Sequence, residues 1–323
     1  MNEKSNYYSP YSFSFWKAYF IQMRPYLLFV SGVAGWAGMS IAFQESFNLK
    51  IYILAFIPVF FGYGFGQALT DCFQMDTDRI SAPSRPLSSG IISVKSVLII
   101  SISGLILISA ILVYLNIWNA FLCLLSIIGL ASYSIIKKRF WFGGPFHNAW
   151  IVALLPIMGY ISITGDPIPS VSEPDILQLV ILSFFSYTSF VLIGYLKDIS
   201  ADRATGYKTF PVVFGWNASV WINNIFVIFS MAFCFSLVNS SVEGIICMAL
   251  ASIIAISGQL FAHFTKVKQE SNAVFPITST VRAFILWHIA IILTYHPEHF
   301  LAVVLFYLLF EIALYLRPQK EQI

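Results

Sequence analysis

Long uncharged apolar runs, separated by short polar segments, set the pattern of this chain. They fall at residues 26–44, 51–69, 96–115, 118–136, 145–164, 176–196, 216–238 and 244–265. Each is close to the roughly 20 residues with which a helix crosses a hydrocarbon core of about 30 Å. Two later runs are weaker as spans. Residues 283–295 are short unless Arg282 snorkels at their start, and residues 300–316 contain Glu311. The pattern predicts an all-α polytopic transmembrane bundle of ten helices, or nine if one weak run does not cross.

Composition narrows the class further. The 323 residues are 58% hydrophobic and 10% charged, which excludes a soluble globular enzyme. A net charge of +3 is too small and dispersed to serve as a nucleic-acid footprint, so no nucleic-acid partner is expected. Cys72, Cys123, Cys234 and Cys247 form no CxxC pair and read as packing residues. The first 25 residues carry Lys4, Lys17 and Arg24 without the layout of a cleavable signal, so the first run is expected to stay as a helix. The stripes Ser31, Gly32, Ala34, Gly35, Ala37, Gly38 and Gly62, Gly64, Gly66 suggest close helix packing.

Basic residues set the expected orientation. With ten spans and the N-terminus inside, Lys50 alone of the 18 Lys and Arg falls outside, and Arg317 and Lys320 favour the tenth span. The chain is expected in the cell (inner) membrane. Five aspartates, Asp71, Asp76, Asp78, Asp198 and Asp202, share that cytoplasmic face, so any chemistry is expected there.

The aspartates form two constellations. If the second span continues past Leu69, Asp71, Gln74 and Asp78 lie on one helical face and Asp76 points elsewhere. Asp198 and Asp202, four residues apart, likewise share a face. Stacked carboxylates call for a cation, and Mg²⁺ suits oxygen ligands that keep room for water and phosphate. Two acidic sites facing each other, with Arg79, Arg85, Lys137, Lys138, Arg203 and Lys208 on the same face, would fit a diphosphate clamped by metal and cations. Either cluster alone would read as a solvated loop. Two at helix ends, each trailed by basic residues and a Gly/Pro turn, argue for a site.

The stretch from Thr70 to Gly90 resembles the first signature of the UbiA superfamily of intramembrane prenyltransferases, NDxxDxxxD followed by RPxxSG. The stretch from Asp198 to Pro211 resembles the second, DxxxD followed by Gly and a Thr-Leu-Pro run, here Gly206 and Thr209, Phe210, Pro211. Arg24 and Pro25, Tyr133 and Ser134 ahead of Lys137, and Asn148 look like further landmarks. Two positions depart from the pattern: Thr70 stands where Asn is usual, and Gln74 stands where the middle Asp is usual. Gln74 still offers a neutral oxygen.

The resemblance implies a single prenyltransferase domain over residues 1–323, built around a lipid-accessible cavity. It implies Mg²⁺-dependent transfer of a prenyl group from a prenyl diphosphate donor to a hydrophobic, often aromatic, acceptor in the membrane lipid. Asp71 and Asp78 would hold one Mg²⁺, and Asp198 and Asp202 the other. Arg79, Arg85, Lys137, Lys138 and Lys208 would contact the diphosphate. Gln67, Gln74, Tyr133, Tyr195 and Asn148 would face the substrate cavity. Helix packing is the bland alternative for these last positions. Two other functions stay open at this point: a membrane terpene cyclase, in which the ionised tail attacks itself, and a secondary transporter, which would place its charges near the midplane. His288 and Glu311, buried in the last two runs, need partners, and a mutual pairing is one option.

Overall fold

The protein is described by a computed structural model covering residues 7–42, 48–168, 173–238 and 241–317. Lys4, Lys320 and the expected span end at residue 44 lie outside the described residues. The helices are α1 (Phe13–Gln22), α2 (Pro25–Ile41), α3 (Leu49–Asp71), α4 (Met75–Ser81), α5 (Val94–Leu115), α6 (Asn119–Arg139) and α7 (Gly143–Thr164). They continue with α8 (Pro174–Gly194), α9 (Ile199–Ala204), α10 (Phe210–Leu237), α11 (Val242–Phe264), α12 (Val274–Tyr295) and α13 (Phe300–Tyr315). Each of the ten apolar runs contains one helix. Among the described residues nine helical segments are long and apolar enough to cross a membrane, and α2, also apolar, is shorter at 17 residues. The short α4 carries Asp76 and Asp78 and the short α9 carries Asp202, with Asp71 at the end of α3 and Asp198 just before α9.

Helix limits follow local chemistry. Ser12 caps α1 by accepting from the Phe15 N–H, and Ser93 caps α5 through the Ser96 N–H. In α10, Gly215 takes φ 79° and divides a leading turn from the long apolar stretch beginning at Trp216. The weakest expected span, 283–295, proves to start earlier, at Val274. Arg282 does not interrupt it, because Nε and Nη2 donate to the two carboxylate oxygens of Glu311 on α13 at 2.7 and 2.8 Å. That pairing replaces the proposed His288–Glu311 contact. The Phe284 carbonyl can only accept, so His288 Nδ1 donates to it at 2.7 Å and Nε2 accepts from Ser183 at 2.8 Å.

Burial sorts the helices into layers. α12 is enclosed along most of its length, with Phe284, Trp287 and Ile291 almost inaccessible. α5, α6, α11 and α13 turn Ile106, Leu107, Ile128, Ile253 and Leu305 outward. A helix apolar on both its inner and outer faces suits a lipid surround.

α2 crosses α7 at backbone contact. A Cβ on Gly38 would strike the Pro156 carbonyl, and one on Gly159 the Gly35 carbonyl. Gly38→Val or Gly159→Val should lower stability by about 1–3 kcal/mol, since backbone cannot yield as a side chain can. Thermal melting in detergent measures this. Gly62→Ala is the control, because its Cβ meets only Ile108 Cδ1, at 3.4 Å. A Gly38 or Gly159 variant melting like Gly62→Ala would refute the close crossing.

Candidate active site

The first cluster sits where α3 ends. Three tight bonds, Cys72 N–H to Leu69, Phe73 N–H to Thr70 and Gln74 N–H to Asp71, at 3.2, 3.0 and 3.2 Å, close the helix before α4 restarts at Met75. The expected unbroken helical face is therefore absent. The break itself turns Asp71, Gln74 and Asp78 into one cavity, with Asp78 almost wholly buried. Thr70, the other departure from the family signature, donates to the Gln67 carbonyl of its own helix at 3.0 Å.

Asp71 is the most constrained acid. Gln67 Nε2 donates to Oδ1 at 2.6 Å, Gln22 Nε2 to Oδ2 at 2.6 Å, and Arg24 Nη2 to both at 3.0 Å. Those contacts fill the roughly four acceptor directions of a carboxylate. Gln22 also accepts from the Leu87 N–H, joining α1 to the loop after α4. Arg24 takes φ 54°, rare for a residue with a Cβ, immediately before the fixed ring of Pro25. The turn directs its guanidinium inward, where burial disfavours the charge but Asp71 outweighs it and holds the proton. Asp78 pairs with Arg85 at 3.0 Å; burial pushes its carboxyl above the ordinary value, and Arg85 offsets only part of that.

The second cluster divides. α8 passes through a 3₁₀ turn, Tyr195–Lys197, and Asp198 stands at the N-cap of α9. Its carboxylate lines the same cavity as Asp71 and has no hydrogen bond among the described residues. Glu270 fixes this turn, accepting from the Ser200 N–H and hydroxyl at 2.5 and 2.9 Å. Asp202 faces away and is fully buried. It accepts from Thr209 at 3.1 Å and Thr77 at 3.4 Å, with Lys137 Nζ 3.7 Å away. Thus the 3₁₀ turn undoes the shared face expected from four-residue spacing.

Around the acids the cavity collects Arg24, Arg85, Lys137 and Lys197, then Gln67, Gln74, Tyr133, Tyr195 and Asn148. Lys137 donates to Gln74 Oε1 at 3.2 Å and lies 5.1 Å from the Tyr195 ring centre. Tyr133 and Tyr195 share a hydroxyl contact of 3.0 Å, and Tyr63 and Tyr187 one of 2.6 Å. Tyr63, Gln67, Tyr133 and Asn148 also line an adjoining cavity between α3, α5, α6 and α7. That second space is walled by Leu105, Ile108, Leu112, Ile127, Ile151 and Met158. A polar, charged mouth thus opens onto an apolar channel.

Four expected site residues lie off the cavity wall. Asp202 supports Lys137 from behind. Lys138 reaches outward to Asp76 at 2.9 Å. Lys208 is exposed, with its backbone N–H on the Lys138 carbonyl, and Arg79 is exposed on α4. Asp76 also accepts from Tyr207 at 3.2 Å. Burial opposes its charge, but the bonds from Lys138, the Thr77 N–H and Tyr207 hold the carboxyl below its ordinary value. The sequence reading did not assign Gln22, Tyr63 or Lys197 to the site. Gln22 had only its place before the Arg24–Pro25 pair as a signal, and Tyr63 only its place one turn before Gln67.

The donor set suits a hard divalent cation. Asp78 and Asp198 keep open carboxylate directions, and Gln67 and Gln74 add amide oxygens, an oxygen-only set of the kind Mg²⁺ prefers. Among the described residues no three aspartates each place a carboxylate oxygen within 4.8 Å of the others; the one such group of side chains is His296, Glu298 and His299 at the α12–α13 turn. Separated acids fit an ion held by one or two carboxylates with the remaining ligands from phosphate and water.

An all-helical bundle with acids and bases at one end of an apolar channel has the layout of a helical membrane enzyme. A profile of the UbiA prenyltransferase family matches residues 30–287, and the chain belongs to that family of prenyl-transferring enzymes. It is 26% identical over 219 residues to a digeranylgeranylglyceryl phosphate synthase of Thermococcus kodakarensis, covering 68% of this chain and 76% of the relative. A second such synthase, from Methanococcus aeolicus, is 32% identical over 183 residues, 56% of this chain and 62% of that one. Among solved structures, a UbiA homolog from Aeropyrum pernix superposes with TM-score 0.66 at 18% identity, over 82% of this chain and 94% of that one. A UbiA homolog from Archaeoglobus fulgidus, bound to DMAPP and Mg²⁺, gives 0.61 at 20% identity, over 85% and 98%.

Proposed function

We propose that this protein, as one domain, transfers a prenyl group from a prenyl diphosphate to a hydrophobic acceptor, with Mg²⁺ held at the aspartate mouth. The observation that carries this reading is the shared wall of the two cavities. The charged mouth fits a diphosphate and the channel fits its hydrocarbon tail. The basic-residue distribution supports a cytoplasmic mouth in a cell membrane.

Each group has a role in this scheme. Asp78 and Asp198 hold the metal, with Gln74 and Gln67 as neutral oxygen ligands, and Asp71 fixes Arg24 at the rim. When bound, Mg²⁺ neutralises charge building on the leaving diphosphate oxygen. Arg24, Arg85, Lys137 and Lys197 add fixed positive charge around that oxygen. The allylic C–O bond breaks with its electron pair passing to diphosphate. The acceptor forms a new bond to the freed carbon and yields its proton to the diphosphate. Tyr63, Tyr133, Tyr187 and Tyr195 exclude water from the reacting carbon and present ring faces to its positive charge.

The names of the relatives point to a glyceryl phosphate lipid as acceptor, where the sequence expectation was an aromatic ring. The cyclase alternative separates in one assay. Purified protein with prenyl diphosphates and no acceptor should release little diphosphate, whereas a cyclic hydrocarbon product would overturn the transfer reading. The metal set has its own test. Gln74→Asp puts a carboxylate, one methylene nearer the backbone, at a position that lines the mouth, and should lower the Mg²⁺ concentration for half-maximal diphosphate release by about tenfold, near 1.4 kcal/mol. An unchanged Mg²⁺ response would show that position 74 does not face the ion.

A further inference from the structure

The end of the bundle remote from the aspartate mouth carries a further group of metal-ligating side chains. α12 starts on the mouth side, where Glu270, in the turn leading into it, holds Ser200 of the second cluster. Its 22 residues rise about 1.5 Å each, so Tyr295 lies about 33 Å further along. There the chain reverses through His296, Pro297, Glu298 and His299 into α13.

Local bonds shape this turn. The His296 N–H closes α12 on the Ile292 carbonyl at 2.8 Å, and the His299 N–H donates to the His296 carbonyl at 3.0 Å. Pro297 opens the 3₁₀ turn, where its fixed φ fits and an N–H is not needed. With three residues per turn, side chains three apart eclipse. His296 and His299 accordingly stack, with ring centres 5.0 Å and planes 21° apart. Glu298 folds back onto His296, Oε1 lying 2.8 Å from Nδ1. Each of the three offers one ligand atom, and those atoms lie within 4.8 Å of one another. Trp36 of α2 backs the His299 ring at 6.0 Å, while exposed Glu298 leaves an approach from solvent.

Two imidazoles and one carboxylate make a donor set unlike that of the mouth. Oxygen alone suits a hard cation, whereas imidazole nitrogen favours a borderline one. Zn²⁺ takes His nitrogen at about 2.0–2.1 Å and carboxylate oxygen at about 2.0–2.2 Å, with water at the fourth corner when the protein supplies three ligands. Ligand atoms of such a tetrahedron stand about 3.3–3.5 Å apart. Side-chain rotation alone closes the present spread to that size.

We propose that His296, Glu298 and His299 bind Zn²⁺ or a similar borderline dication, and that the ion fastens the α12–α13 turn. It takes the place of the hydrogen bond that now joins His296 to Glu298. The Arg282–Glu311 pair already ties α13 to α12 further along, and Phe306 and Phe310 press on Phe29 of α2. A metal at the turn fixes the other end of that hairpin. The site is independent of the prenyl-transfer reading, whose Mg²⁺ lies at the opposite end of the bundle.

The test uses the tag-free full chain in detergent at about pH 8, where imidazole is mostly neutral, with excess Mg²⁺ to occupy the mouth. Titration with Zn²⁺ against a chelating dye should show one ion per chain, and Zn²⁺ should raise the melting temperature until a chelator removes it. His296→Ala, His299→Ala and Glu298→Gln should each weaken Zn²⁺ binding by about tenfold or more, while Asp198→Ala leaves it unchanged. Co²⁺ on the wild type needs no variant: it should give the strong visible absorption of a four-coordinate site, abolished by Zn²⁺. No Zn²⁺ uptake under excess Mg²⁺, or the weak spectrum of six-coordinate Co²⁺, overturns the site. So does an affinity unchanged in the three turn variants, which would make the ion adventitious, or lost in Asp198→Ala, which would put it at the mouth.

Discussion

Asp198→Ala should reduce Mg²⁺-dependent diphosphate release by on the order of 10³-fold, about 4 kcal/mol of transition-state stabilisation, while the protein stays folded. Asp198 lines the cavity from the second cluster and its carboxylate has no hydrogen bond among the described residues, so its removal takes away a proposed metal ligand without breaking a described hydrogen bond. Melting should shift little. Asp76→Ala is the matched control: it deletes a carboxylate from the same end of the bundle, but one spent on Lys138 and Tyr207. A half-exposed pair of this kind contributes at most about 1 kcal/mol, so diphosphate release should stay within about fivefold of the wild type. Measuring both with one prenyl diphosphate and a glyceryl phosphate lipid acceptor over a Mg²⁺ series decides the matter. Wild-type activity in Asp198→Ala would remove the metal role of the second cluster.

Asp202→Asn should act by another route. The Asp202 carboxylate is fully enclosed and faces Lys137, itself buried. Burial pushes the Asp202 carboxyl above its ordinary value, and Lys137 pulls it back only in part. Removing the acid leaves a buried ammonium without its counter-charge, which costs about 3–5 kcal/mol. A large fall in melting temperature is expected. Adding Lys137→Met should restore much of that stability, because the orphaned charge goes with it. It should not restore activity, since Lys137 also lines the cavity and holds Gln74. If Asp202→Asn melts like the wild type but loses its Mg²⁺ response, Asp202 is a ligand and not the support of Lys137.

These two aspartates show how far the chain could be read in advance. Both fall in one signature, four residues apart, and the spacing alone gives them the same part. The 3₁₀ turn at Tyr195–Lys197 sends one to the cavity and one behind it. Asp71 and Asp78 were expected to act together, and they do share the cavity. Four donor contacts occupy Asp71, whereas Asp78 keeps an open oxygen. No sequence pattern announces Gln22 as one of those donors, because it comes from α1, 49 residues away.

Sequence by itself determined the helical runs, the gathering of acids and bases at one end, and the motif pair that marks the family. Those depend on residue type and short spacing: apolar length fixes a span, and local hydrogen bonding fixes a turn. Tertiary structure alone decided which acids stay open for metal and that Arg282 pairs with Glu311. Each of these depends on which side chains from distant segments meet in a low-dielectric interior, where a charge is usable or spent according to its nearest partner.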